Sequence, residues 1–234
     1  MYSMKSRVTT SCTDATGTQN LISVVTMMQD CSMMWMEQQT ATESWLDETN
    51  GAMLVASREV EIRRRPRYGE FLTVSTWVYK VQSFMGFRNT CIFDEAGEAT
   101  AACWCTGVFV NRETGKTLRV PDYVRDSMGL EPAFDMEYGK RKIVLPDVEP
   151  QKLAPVRAQR TDIDFNGHVN NAQYVRMAYE RLPLDFDPRH LRITHDGQAR
   201  CGDLIDLTLC EDAGVFDFVL SGEEGQTIAV VEFA

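Results

Sequence analysis

Asp164, Asn166 and His168 place a carboxylate, an amide and an imidazole at alternate positions around Gly167. A carboxylate can accept a proton or attack a carbonyl, and the amide and imidazole can orient water or substrate. Immediately downstream, Ala172, Val175, Ala178 or Tyr179, and Leu182 recur with helical spacing. The three groups are therefore delivered to a helix N-terminus, where unpaired N–H groups and the dipole favour developing negative charge. That combination suits attack on a carbonyl. Asp, Asn and Gly are also ordinary helix-entry residues, so spacing alone leaves a structural role open.

The bulk properties narrow the classes. A chain of 234 residues is long enough for one large or two small domains. A net charge of −10 argues against general nucleic-acid binding, which needs a basic excess. Basic residues cluster locally as Arg58, Arg63, Arg64, Arg65 and Arg67, and again as Lys140, Arg141 and Lys142. Such patches could dock an acidic partner or simply form a solvated strand face. The seven cysteines form no Cys-x-x-Cys pair and have no His at metal spacing, so they read as reduced thiols of a cytoplasmic protein with no metal or cofactor. No apolar signal core and no run of membrane-spanning length occurs, which argues against secretion and insertion.

The chain also repeats itself. Asp14–Asn20 lies over Asp164–Asn170 at an offset of 150, Arg67–Val74 over Arg200–Leu207 at 133, and Asp94–Gly97 over Gly222–Gly225 at 128. Each copy reads as a strand, a turn, one helix and a run of strands. The helices are expected over Val24 to Glu37 and Asn171 to Arg181. The first-copy strands are expected at about 54–64, 71–82, 84–93 and 100–111. Alternation in Phe71–Val78 suits a half-buried antiparallel strand, and Asp94–Gly97 a hairpin. A proline-rich charged stretch from Phe134 to Pro155 reads as a surface linker. The expectation is an α+β protein of two similar halves: residues 1–130, a linker at 131–155, and residues 156–234. Two such halves most simply pair as a pseudo-dimer, which leaves further homodimerisation open.

The string from Asp162 to Tyr174, Asp-x-Asp-x-Asn-x-His-Val-Asn-Asn-x-x-Tyr, resembles the catalytic segment of acyl-acyl-carrier-protein (acyl-ACP) thioesterases. Ser75-Thr76-Trp77, Gly107–Lys116 and Val120-Pro121 support the likeness, as does the duplication. The resemblance implies two tandem hotdog domains, each a long helix wrapped by a curved antiparallel sheet. It implies hydrolysis of fatty acyl-ACP to free fatty acid and holo-ACP in fatty-acid biosynthesis. The partner would be acyl carrier protein, with the acyl chain on its phosphopantetheine arm. The family's catalytic aspartate, asparagine and histidine fall on Asp164, Asn166 and His168. Its cysteine falls on Cys201, but its glutamate has no counterpart; Gln198 is the nearest isostere. The first copy holds Thr16 and Thr18 where the second holds Asn166 and His168, which favours a single working site in the second half.

On this reading Asp164 acts as general base on water or as direct nucleophile, and backbone N–H groups of Val169 to Asn171 hold the oxyanion. The alternative of a Cys201 nucleophile served by His168 and Asn166 is weaker, because a thiol in a tight turn is more often structural. Met28, Met34, Trp35 and Trp45 are the candidates for an acyl pocket. Arg58, Arg63, Arg65, Arg67, Lys140 and Lys142 are those for carrier docking. Two other functions fit the same residues: an acyl-CoA thioesterase, or a non-catalytic acyl-binding module.

Overall fold

The computed structural model describes residues 1–234, which divide into two compact units, Met1–Gly139 and Lys140–Ala234. The first unit runs β1 (Tyr2–Arg7), α1 (Leu21–Met36), α2 (Thr40–Glu48), β2 (Gly51–Ile62), β3 (Phe71–Gln82), β4 (Met85–Phe93), β5 (Ala99–Asn111) and α3 (Asp122–Ser127). Its strands are antiparallel in the order β1-β3-β4-β5-β2. Leu21, Val24, Val25, Met28, Cys31 and Trp35 form one helical stripe that α1 buries against β3 and β4. Asn20 starts this helix, its side chain accepting from the Ser23 N–H at 2.8 Å.

The second unit runs β6 (Gln151–Arg157), α4 (Asn171–Tyr179), β7 (His190–His195), β8 (Leu204–Asp212), β9 (Val215–Ser221) and β10 (Thr227–Phe233). Its order, β6-β8-β9-β10-β7, is that of the first unit strand for strand. Each unit thus has one helix laid on five antiparallel strands.

All three sequence repeats recur as hydrogen bonds. Gly17 and Gly167 both sit at positive φ, 76° and 79°. Asp14 and Asp164 each donate their N–H to the residue four ahead, Thr18 and His168, at 2.9 Å. Gly69 and Gly202 close the second pair of turns at φ 91° and 94°, and Gly97 and Gly225 the third at 82° and 81°.

Three details differ from expectation. The first unit has α2 and α3 besides its long helix; α2 is polar and buries only Thr42 and Trp45, so its periodicity is faint. β3 is covered on both faces, because Phe134 and Met136 pack over Trp77, Cys91 and Ala102. Strand β6 starts at Gln151, inside the stretch read as linker, and pairs with β8. Pro155 lies where that pairing shifts register between Leu153 and Val156, a place that tolerates a missing N–H. No helix is long and apolar enough to cross a membrane.

Candidate active site

The loop before α4 is built by its own backbone. Asp164 donates to His168 O at 2.9 Å, Gly167 to Asp164 O at 3.0 Å, and Ile163 bridges Val169. Asp162, only 3% exposed, anchors its start. Asp162 accepts from Arg176 Nη2 at 2.9 Å and from the Gln159 N–H at 2.7 Å. Asn170 caps the helix by accepting from the Ala172 N–H at 2.9 Å. Asp164, Asn166 and His168 are left half-buried or exposed on the loop.

Asp164 Oδ1 accepts from the Asn166 N–H at 2.8 Å and from the His168 N–H at 3.5 Å. Its Oδ2 meets only Asn166 Nδ2, at 3.5 Å. The twin loop differs in this respect. Asp14 Oδ1 accepts from the Thr16 hydroxyl at 2.6 Å and N–H at 2.9 Å, and Oδ2 accepts from the Thr18 hydroxyl at 3.2 Å. Partial burial raises the Asp14 carboxyl, but the bonds from Thr16 and Thr18 outweigh it and hold it below the usual range. The shared loop shape therefore does not require the second-half side chains. One aspartate is tied down by hydroxyls, and the other has an oxygen with a single partner at 3.5 Å.

The segment bearing Gln198 and Cys201 reaches this loop through its backbone. Val169 donates to Ala199 O at 2.8 Å, and Ala199 donates to the buried Tyr174 oxygen at 2.9 Å. Burial pushes the Tyr174 phenol up to about 12, the Ala199 bond partly opposes this, and the Asp164 and Asp203 charges add to it. Tyr174 closes the motif string, yet its role was not legible there, since its partner is a backbone N–H 25 residues away. The first copy has Val24 and Pro66 at the matching positions and can make no such bond. Cys201 is exposed in the Arg200–Asp203 turn and makes no hydrogen bond, and Gln198 is also exposed. Neither side chain forms a hydrogen bond to Asp164, Asn166 or His168. Of the three N–H groups expected to hold an oxyanion, that of Val169 is used by Ala199 O and that of Asn170 by Asp162 O at 2.8 Å. Only that of Asn171 lacks an acceptor within the chain.

The first unit contains a mostly apolar cavity, part of it open to solvent. Trp35 lines it, as do Met33, Met36, Met53 and Met128. The other three expected pocket residues do not. Met28 is 1% exposed on the buried stripe, Trp45 packs edge-on against Phe109 at 5.4 Å, and Met34 faces solvent. Gln29, Ser32, Met33 and Met36 share the lining face because they lie three, four and seven residues apart. Among the docking candidates, Arg58 is 6% exposed and lines this cavity. Arg63 pairs with Glu61 at 3.0 Å, and Arg65 is half-buried. Arg67, Lys140 and Lys142 extend into solvent.

Similarity to known proteins agrees with this layout. The acyl-ACP thioesterase N-terminal domain profile matches residues 1–128 and the C-terminal domain profile residues 146–233. Oleoyl-acyl carrier protein thioesterase 1 of Arabidopsis thaliana is 27% identical over 203 residues, 79% of this chain and 56% of its own length. The chain spans about half the length of the curated relatives it matches. Two solved structures share the fold over 99% of this chain. An acyl-ACP thioesterase from Bacteroides thetaiotaomicron has a TM-score of 0.87, 18% identity and 96% of its chain covered. A 12:0-ACP thioesterase from Umbellularia californica has 0.85, 16% and 95%. With both domain profiles matched in order and the tandem hotdog fold in place, the chain belongs to the acyl-ACP thioesterase family.

Proposed function

We propose that the protein hydrolyses fatty acyl-ACP to free fatty acid and holo-ACP, with Asp164 as the reacting carboxylate. The observation that carries this reading is the open Oδ2 of Asp164, set against the fully engaged Asp14. Asp164 Oδ2 takes a proton from water as the water oxygen adds to the thioester carbonyl. The tetrahedral intermediate then collapses, the C–S bond breaks, and the proton passes to the departing thiolate. Asn166 and His168 orient water and carbonyl, and the Asn171 N–H faces the oxyanion. Direct attack by Asp164 would instead form an anhydride. After a single turnover in ¹⁸O-water, label in the Asp164 carboxylate identifies an anhydride opened at its aspartyl carbonyl, because the general-base route places label only in the fatty acid.

The first unit's methionine-lined cavity supplies an adaptable wall for the acyl chain. Arg67, Lys140 and Lys142 are the basic groups free to meet an acidic carrier protein. The unpaired cysteines suit a reducing compartment such as the cytoplasm. Kinetics on matched acyl-ACP and acyl-CoA substrates test the assignment. A kcat/KM at least tenfold higher on the carrier-linked substrate is expected. Equal or better use of acyl-CoA would make the protein an acyl-CoA thioesterase, and no turnover on either would make it a binding module.

A further inference from the structure

The first-unit cavity is graded from apolar to charged along its strands. One end is lined by Phe109, Gly107 and Gly86, with the Met53 side chain lying over Gly107: a Cβ there would stand 2.7 Å from Met53 Sδ. Two residues along on the same face comes a row across three strands. Cys105 of β5 is paired in register with Arg58 of β2 on one side and Arg88 of β4 on the other. Directly paired residues point to the same face of a sheet, and all three line the cavity.

These guanidinium groups are poorly satisfied by the protein. Arg58 is 6% exposed, yet its side chain makes no hydrogen bond or ion pair. Arg88 stacks on Trp35 at 4.0 Å and makes only two long bonds of 3.4 Å, to Ser32 O and Thr76 Oγ1. Its desolvation lowers it to about 10, with Arg58 adding repulsion and thiols as the other neighbours. It stays charged at neutral pH. A buried cation beside a half-buried one, with no carboxylate among the groups that act on Arg88, is a costly arrangement.

The duplication shows that the fold does not ask for them. The same row in the second unit is Leu191, Phe233 and Phe216, in the same register and buried throughout. There Phe186 packs on Phe216 at 4.7 Å, much as Trp35 packs on Arg88. One half closes this row with hydrocarbon, while the other lines a cavity with guanidinium, thiol and guanidinium.

We infer that the cavity takes an aliphatic chain bearing a carboxylate, with the hydrocarbon along Phe109 and Gly107 and the carboxylate between Arg58 and Arg88. The proposal deepens, and rests on, the reading of the first unit as the acyl-binding half. Such a carboxylate has two sources: the far end of an ω-carboxyacyl thioester, or the fatty acid released by hydrolysis.

Calorimetric titration of the full chain with dodecanoate and with dodecanol reads the charge preference without hydrolysis. Dodecanoate is expected to bind about 10–100-fold tighter, as a charged hydrogen bond supplies. Arg58→Leu, which installs the residue type already present at Leu191, should reduce that ratio below about threefold, and Arg58→Lys should give an intermediate value. Equal binding of acid and alcohol by the wild-type protein overturns the proposal, whatever the variants do. Hydrolysis of carrier-linked dodecanoyl and 11-carboxyundecanoyl groups then separates the sources. At least tenfold preference for the second identifies the substrate's own far end. Preference for the first, with inhibition by dodecanoate, identifies the released acid. Carboxylate-selective binding with no turnover of either would sink the hydrolase reading and leave the anion site standing.

Discussion

Asp162 and Asp164 are two residues apart, and Asp162 is almost wholly buried in an ion pair with Arg176, while Asp164 keeps an oxygen open. Removing one partner of a buried pair leaves the other charge uncompensated. Because Arg176 is about a third exposed, Asp162→Ala should cost roughly 1–3 kcal/mol of stability in a denaturant titration. A change below about 0.5 kcal/mol would show that the pair holds nothing together. Asp217 offers a second residue-scale test. Burial, with Glu232 across the strand, raises its carboxyl from 3.8 to about 6 against the pull of Arg192. The folded state therefore keeps a proton that the unfolded chain has lost, so stability falls as pH rises from about 4 to about 6. Asp217→Asn should remove that slope and stabilise the protein at pH 7 by on the order of 2 kcal/mol. Parallel pH–stability curves for variant and wild type would contradict the buried-acid assignment. At this scale the sequence offered Asp164, Asn166 and His168 as candidates, since the motif is local. It placed Arg58 among the docking cations instead of in the cavity, because which face a strand residue takes depends on how β2 pairs with β5.

The helices and strands that position these groups were legible where their periodicity was strong. Helix α1 and the four long strands of the first unit fall within a few residues of expectation. Helix α2 was missed because it is short and polar, and β6 because prolines surround and interrupt it. The cavity wall was only partly readable. A run of methionines marks a soft helix, but only the packing of α1 on its sheet shows that Met33 and Met36, rather than Met28 and Met34, face the space. The α1 cap can be tested alone. Asn20→Ala removes the bond to the Ser23 N–H and should cost about 0.5–2 kcal/mol in thermal melting, with KM and kcat little changed. A fall in kcat at full folding would mean that the first-unit loop takes part in chemistry after all.

The whole chain is a duplication whose copies kept their backbone and diverged in side chains. The repeat was readable without structure because turn glycines and their partners recur in order. The unlike contents of the two copies, hydroxyls against amide and imidazole in one loop and guanidinium against phenyl in one strand row, needed the register and hydrogen bonds. Carrier recognition belongs at this scale. Activity on acyl-ACP should fall several-fold between about 50 and 200 mM salt while activity on acyl-CoA changes little, as solvent-exposed charge pairing is screened. Equal salt profiles would remove Arg67, Lys140 and Lys142 from docking. The central claim is that the second-half loop works and its twin does not. It is tested by kcat for Asp164→Asn beside Asp14→Asn, with melting temperatures recorded for both. Asp164→Asn keeps the acceptor for the Asn166 N–H but loses the base, so kcat should drop on the order of 10²–10⁴ in a folded protein. Asp14→Asn should stay within about threefold of wild type, far less than removal of a general base costs. Near-normal turnover by folded Asp164→Asn would contradict the account.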